Sequence, residues 1–337
     1  MGNKIKAYAA SEPKGKFEPF EFDAGELGDE QVEIKVLWCG ICHSDLSMRN
    51  NDWQMTEYPF VGGHEAVGEI VAAGANVKGV KVGDKVGLGW NSGSCGHCEQ
   101  CISGNQIMCR DLEQTIVNRH GSFAEKVRCH WSWAIKLPDE MDISKAGPLF
   151  CDGITVFNPL YQYGISPTDK VGVIGIGGLG HLAVQFADKW GCEVTAFSSN
   201  PGKTEELKNL GADFVVNSRS DEELEKVKGK FDLILSTVNV TLNWELYLQT
   251  LAPKGRLHIL GALTEPIPLQ TFSIIKQKAV SSTATGSPTV VSKMLEFCAR
   301  HDVKAVTEIF PMSKINQAFE HLESGKARYR IVLQNDI

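Results

Sequence analysis

The stretch KVGVIGIGGLGHLAVQFADKW, residues 170–190, constrains the fold more than any other part of the chain. The apolar run before the glycines reads as a buried strand, and Leu182, Ala183, Phe186, Ala187 and Trp190 fall at helical spacing after them. Gly175, Gly177 and Gly180 form GxGGxG, with Gly178 and Leu179 inside the turn. Alone, such a motif is an ordinary glycine turn. Between a strand and a helix it aims backbone N–H groups and a helix dipole at one point, where a pyrophosphate binds. A dinucleotide is therefore the expected cofactor.

The end of the next strand bears on which dinucleotide. A dinucleotide without a 2′-phosphate is held by an acid on its ribose hydroxyls at this place. Here EVTAF runs instead into Ser198, Ser199 and Asn200, with Lys203 following. Hydroxyls and a lysine suit a 2′-phosphate, which needs donors and positive charge, so NADP(H) is expected. The plainer alternative is that Lys203 only begins the next helix in solvent.

The strand and helix rhythm continues through DFVVNS, FDLILSTV and GRLHILGA, and the count fits a six-stranded doubly wound parallel sheet. Before residue 151 the pattern differs: Val32, Ile34 and Val36 alternate with Gln31, Glu33 and Lys35 as in a half-buried strand, and glycine turns at 62–63 and 83–84 separate short apolar runs. The expected organisation is a β-rich domain over 1–150, a dinucleotide domain over 151–286, and a segment over 287–337 that rejoins the first, with a helix in VSKMLEFCARH and a strand in RYRIVL. A chain of 337 residues is long enough for two cores.

CGHCEQCISGNQIMC, residues 95–109, brings Cys95, Cys98, Cys101 and Cys109 into one polar loop. Four thiolates satisfy a structural zinc and leave no open position. An iron–sulfur cluster is the competing occupant, and a nucleic-acid zinc ribbon a third, although the loop is nearly devoid of basic residues. The whole chain carries 34 basic and 41 acidic residues, a formal charge of −7, which argues against a nucleic-acid or anionic membrane partner.

WCGICHSD (38–45), GGHEAVGE (62–69) and LFCDGIT (149–155) hold a second constellation. WCGIC also resembles a dithiol active site made of Cys39 and Cys42, a reading that leaves the glycine turn and the histidine unexplained. Cys42, His64 and Cys151 as metal ligands explain more, because two thiolates and one imidazole leave a fourth tetrahedral position free. A zinc and nucleotide-binding module without catalysis is the remaining alternative. No apolar run approaches the ~18 residues of a membrane span, the N-terminus MGNKIKAYAA lacks the apolar core of a signal peptide, and ten cysteines suit a reducing compartment, so a cytoplasmic location is expected.

Taken in order, CGICHSD, GHEAVG, the four-cysteine lobe, CDGIT and GIGGLG resemble the zinc-dependent medium-chain dehydrogenase/reductase family over essentially the whole chain. The serine-rich cofactor loop is similar to that of its NADPH-dependent aldehyde reductase and cinnamyl alcohol dehydrogenase branch. The resemblance implies an α/β protein, a GroES-like domain plus a Rossmann domain with the active site in a cleft between them, and hydride transfer between NADPH and aldehydes, reversible with primary alcohols. It implies two zinc ions per chain, catalytic on Cys42, His64 and Cys151 and structural on the four-cysteine lobe. Glu65 matches an acid behind the metal, Asp45 the carboxylate that orients the ligand histidine, Ser44 a proton-handling hydroxyl, His43 a cofactor phosphate contact and Thr155 a residue near the nicotinamide. Ser47 stands where many members end their proton relay in histidine, and Trp53 and Trp90 match substrate-pocket positions. A homodimer through Rossmann edge strands is the implied assembly.

Overall fold

A computed structural model describes residues 3–263 and 265–337, without the side chain of Pro201. The chain divides into two units, one of residues 1–154 and 286–337, the other of residues 155–285.

The first unit is built on a seven-stranded sheet. Its central strand, Gln31–Ile41, pairs antiparallel with Ala66–Ala73, with Lys126–His130 and with Arg330–Gln334. Late residues thus enter the same sheet as early ones. Phe17, Phe123 and Phe319 meet at centroid distances of 5.6, 4.9 and 5.9 Å and join the two segments in one core. Edge-to-face and tilted rings of this kind add to the apolar area they bury.

The alternation in Gln31–Ile41 breaks at Glu33, which is buried although the pattern puts it in solvent. Lys126 Nζ at 2.8 Å and Arg128 Nε at 2.9 Å donate to its two carboxylate oxygens. Burial works against its charge, and the two cations outweigh burial, so its carboxyl lies below the usual range.

The second unit holds a parallel six-stranded sheet in the spatial order Phe214–Asn217, Glu193–Ser198, Lys170–Ile174, Phe231–Ser236, Leu251–Ile259, Ala279–Ser282. That is the doubly wound order, with its reversal beside Lys170–Ile174, where such sheets bind ligands. Val171, Val173, Val194 and Ala196 are fully buried, as strands covered on both faces require. The helix Gly178–Trp190 starts directly after the glycine turn and ends on Gly191, whose φ of 101° is a left-handed cap. Trp190, half-buried, donates its Nε1 hydrogen to the Ile165 carbonyl at 2.7 Å.

Candidate functional site

Cys42 is placed by the start of a helix. It is the residue before His43–Asn50, its thiol accepts from the Ser44 N–H at 3.5 Å, and its own N–H donates to Asp45 Oδ2 at 3.0 Å. The other oxygen of Asp45 accepts from the Gly63 N–H at 2.8 Å and meets His64 Nδ1 at 3.0 Å. One fully buried carboxylate thereby fixes both Cys42 and His64, and it directs His64 Nε2 away from itself. That is how a carboxylate orients a metal-binding imidazole.

Cys151 follows the 3₁₀ turn Gly147–Phe150 and completes the group. Its Sγ lies 3.8 Å from Cys42 Sγ and 3.3 Å from His64 Nε2. Ligands about 2.3 Å (sulfur) and 2.0 Å (nitrogen) from a tetrahedral ion lie about 3.8 Å (sulfur to sulfur) and about 3.5 Å (sulfur to nitrogen) apart, so these three atoms fit one zinc and leave a position open. The Cys151 S–H and His64 hydrogen-bond to the Cys42 thiolate and, against burial, hold its thiol well below the ordinary range. A buried cluster that favours thiolate is matched by a cation.

Glu65 adds a fourth donor to the group, all four ligand atoms lying within 4.8 Å of one another. It is fully buried, and Arg330 Nη2 donates to its Oε1 at 2.5 Å while Oε2 has no hydrogen-bond partner among the described residues. Arg330 also pairs with Asp152 and donates to the Ile41 carbonyl. Burial, partly offset by Arg330, lifts the carboxyls of Glu65 and Asp152 to about 8 and about 6. Sequence reasoning missed Arg330 and Asp152. The only signal was charge inside otherwise apolar segments, RYRIVL and FCDGIT.

Around the donors, Ser44 Oγ sits 3.6 Å from Cys42 Sγ and Trp90 packs edge-on against His64 at 5.0 Å. Trp53 lies 6.1 Å from Trp90, so the two indoles form one wall on this side. Ser47 is buried on the same helix as Ser44, and His43 is exposed beside it. Cys39 takes no part: it is buried within the sheet, 3.3 Å from Ser122 Oγ, and burial pushes its thiol far up. A dithiol made of Cys39 and Cys42 has no support in this geometry.

Cys95, Cys98, Cys101 and Cys109 form the second cluster, with sulfur separations of 3.9, 3.9 and 3.5 Å, again near a zinc tetrahedron's edge. Gly96 and Gly104 adopt φ of 73° and 84°, which lets the loop curl round a small centre. Backbone N–H groups of His97 and Cys98 lower the Cys95 thiol to about 6. All four sulfurs are committed to one point.

In the second unit the glycine turn shows three separate spatial demands. Gly175 has a φ of 83°, a Cβ on Gly177 meets nothing within 4 Å, and a Cβ on Gly180 meets the Gly175 carbonyl at 1.9 Å. Turn, open backbone and tight helix packing are the three roles a dinucleotide loop needs. Thr237 Oγ1, which the sequence did not single out, donates to the carbonyls of Ile174 at 3.0 Å and Gly175 at 2.7 Å and pins the turn. Ser198 is buried, Ser199 and Asn200 are exposed, and Lys203 is half-buried at the residue before the helix Thr204–Asn209. Thr155 is half-buried on Asp152–Gln162. Among the described residues no helix is long and apolar enough to cross a membrane.

Comparison with known proteins agrees with this geometry. Residues 28–139 match the alcohol dehydrogenase GroES-like domain and residues 178–300 the zinc-binding dehydrogenase domain. The chain is 52% identical over 332 residues to aldehyde reductase AdhA of Synechocystis sp., covering 98% of this chain and 99% of that protein. It is 36% identical over 340 residues to mannitol dehydrogenase of Apium graveolens, 98% and 93% of the two chains. Among solved structures, a cinnamyl alcohol dehydrogenase of Sorghum bicolor superposes with a TM-score of 0.93 at 36% identity over 98% of this chain and 97% of that one. A cinnamyl alcohol dehydrogenase of Helicobacter pylori complexed with NADP(H) gives 0.90 at 28% identity, covering 99% of each. The chain belongs to the zinc-dependent medium-chain alcohol dehydrogenase family.

Proposed function

We propose that this enzyme reduces aldehydes to primary alcohols with NADPH, reversibly, at a zinc held by Cys42, His64 and Cys151. The single observation that carries the reading is that donor set: two thiols and an imidazole, buried, at zinc spacing, with one position left for substrate oxygen. Zinc, when bound, supplies Lewis-acid polarisation of a carbonyl. NADPH, when bound, supplies the hydride, and one proton completes the alcohol.

The chain's own residues prepare this. Asp45 fixes Cys42 and His64 in position through both of its oxygens. Ser44 offers a hydroxyl beside the donors, from which a proton can pass to the substrate oxygen. Ser47, buried on the same helix as Ser44, leaves the onward path to hydroxyl or water. Trp53 and Trp90 keep water from one side and favour slender aldehydes over ketones.

In the second unit the turn from Gly175 to Gly180, open at Gly177, is assigned to a pyrophosphate, and Ser198, Ser199, Asn200 and Lys203 are assigned to the 2′-phosphate. His43 and Thr155 are assigned to the cofactor as well. Four cysteines, Cys95, Cys98, Cys101 and Cys109, hold the structural zinc. None of the ten cysteines is disulfide-bonded and six of them are assigned to zinc, a use of thiols that supports a reducing, cytoplasmic setting. The strand Ala279–Ser282 ends the parallel sheet, and Phe272 and Ile275 just before it are 83% and 66% exposed, which supports a homodimer through this edge. Sedimentation should give twice the chain mass.

An aldehyde panel with NADPH and NADH, before and after zinc removal, tests the function. NADPH-driven turnover should vanish with the metal and return with added zinc, whereas turnover indifferent to the metal rejects the reading. Lys203→Ala should raise KM for NADPH about ten- to a hundredfold, the value of a charge-assisted contact, and leave NADH unchanged.

A further inference from the structure

Gly40 is unlike the chain's turn glycines. It lies inside the strand Gln31–Ile41 and has no positive φ, so the backbone there accepts any residue. What forbids a side chain is space. A Cβ on Gly40 meets Glu65 Oε2 at 1.8 Å and Glu65 Cδ at 2.9 Å, while the Gly40 N–H donates to the Glu65 carbonyl at 3.1 Å.

Glu65 cannot simply swing away. Its other oxygen is tied to Arg330, its side chain is fully buried, and Oε2 has no hydrogen-bond partner among the described residues, while one oxygen of the same carboxylate lies within the donor group. A buried carboxylate oxygen without a donor is costly unless it serves something else.

We propose that Gly40 is a positioning residue: its missing Cβ is the space that stations the Glu65 carboxylate, tethered by Arg330, with one of its oxygens among the Cys42, His64 and Cys151 donors. The proposal rests on these three being metal ligands. Ordinary C···O contact is about 3.3 Å, so alanine at 40 drives the oxygen back by about 1.5 Å from its 1.8 Å clash. The carboxylate is then pulled off Arg330, which keeps only Asp152 to balance its positive charge beside a dication. Metal retention should fall.

The test follows zinc release from the full-length holoenzyme into excess chelator, reading the release phase that a Cys42→Ala protein lacks. Gly40→Ala should speed that phase about ten- to a hundredfold, the range for groups behind a ligand. Glu65→Ala should speed it likewise, and adding Gly40→Ala to Glu65→Ala should change it less than twofold. A wild-type rate for Gly40→Ala, or the same acceleration with and without Glu65, overturns the proposal. If Gly40→Ala does not fold, the double variant should, with a melting temperature close to that of Glu65→Ala. Failure in both backgrounds shows instead that Gly40 serves packing alone. Wild-type protein holding one zinc per chain rejects the underlying ligand assignment, which is a separate outcome.

Discussion

The two cysteine clusters have similar interatomic spacing and opposite construction. Cys95, Cys98, Cys101 and Cys109 come from one short segment that folds through the helical turn Glu99–Ile102, and neighbouring backbone N–H groups lower the Cys95 thiol. Cys42, His64 and Cys151 come from a helix start, a loop and a 3₁₀ turn, and are surrounded by Asp45, Glu65, Asp152 and Arg330. A closed centre needs only a loop that curls, since its task is to bind tightly. An open centre must hold its geometry without help from a fourth protein ligand, so its ligands, drawn from separate segments, are braced by charge.

That contrast can be broken by mutation. Cys42→Ala should lower kcat/KM by about a thousandfold or more, since the Lewis acid is worth several kcal/mol, while one zinc per chain remains and the melting temperature barely moves. Equal activity in this variant would remove the open centre from the chemistry. Cys98→Ser should do the reverse in kind, costing on the order of 4 kcal/mol of stability in urea unfolding, because a closed site contributes folding energy. If its denaturation midpoint matches wild type, the loop does not depend on its metal.

Smaller effects sharpen the comparison. Asp45→Asn should weaken zinc binding at the open centre about ten- to a hundredfold, as seen by competition with a chelator, and leave the four-cysteine zinc untouched. Equal loss from both centres would mean that Asp45 serves the fold rather than the ligands. Trp90→Ala should raise kcat/KM for branched aldehydes and ketones relative to small aldehydes by about tenfold, since one pocket methylene already accounts for 1–3 kcal/mol. An unchanged ratio removes Trp90 from the substrate wall.

What was legible in the sequence was what local spacing encodes. The glycine turn, its strand and helix and the four-cysteine loop depend on residues a few positions apart, and their chemistry can be read without knowing the fold. Cys42, His64 and Cys151 were legible for a different reason: cysteine and histidine carry distinctive chemistry, and the surrounding motifs resemble a known family. Arg330 was not, because its partner Glu65 is 265 residues away and only strand pairing brings them together. Glu33 was misread by alternation, since the cations that make its burial tolerable lie on another strand. Gly40 was invisible because its function is an absence, a space that acquires meaning only when Glu65 is seen to fill it.

The ion pairs from Arg330 to Glu65 and Asp152 also tie the two ends of the chain together. The strand that carries Arg330 pairs with Gln31–Ile41, so residues near the C-terminus are joined to the early strands by charge as well as by backbone hydrogen bonds. Breaking a buried pair by removing one partner is costly because the other group keeps its burial and loses its counterion. A change at residue 330 therefore reaches two acids at once, one beside His64 and one beside Cys151 in the sequence.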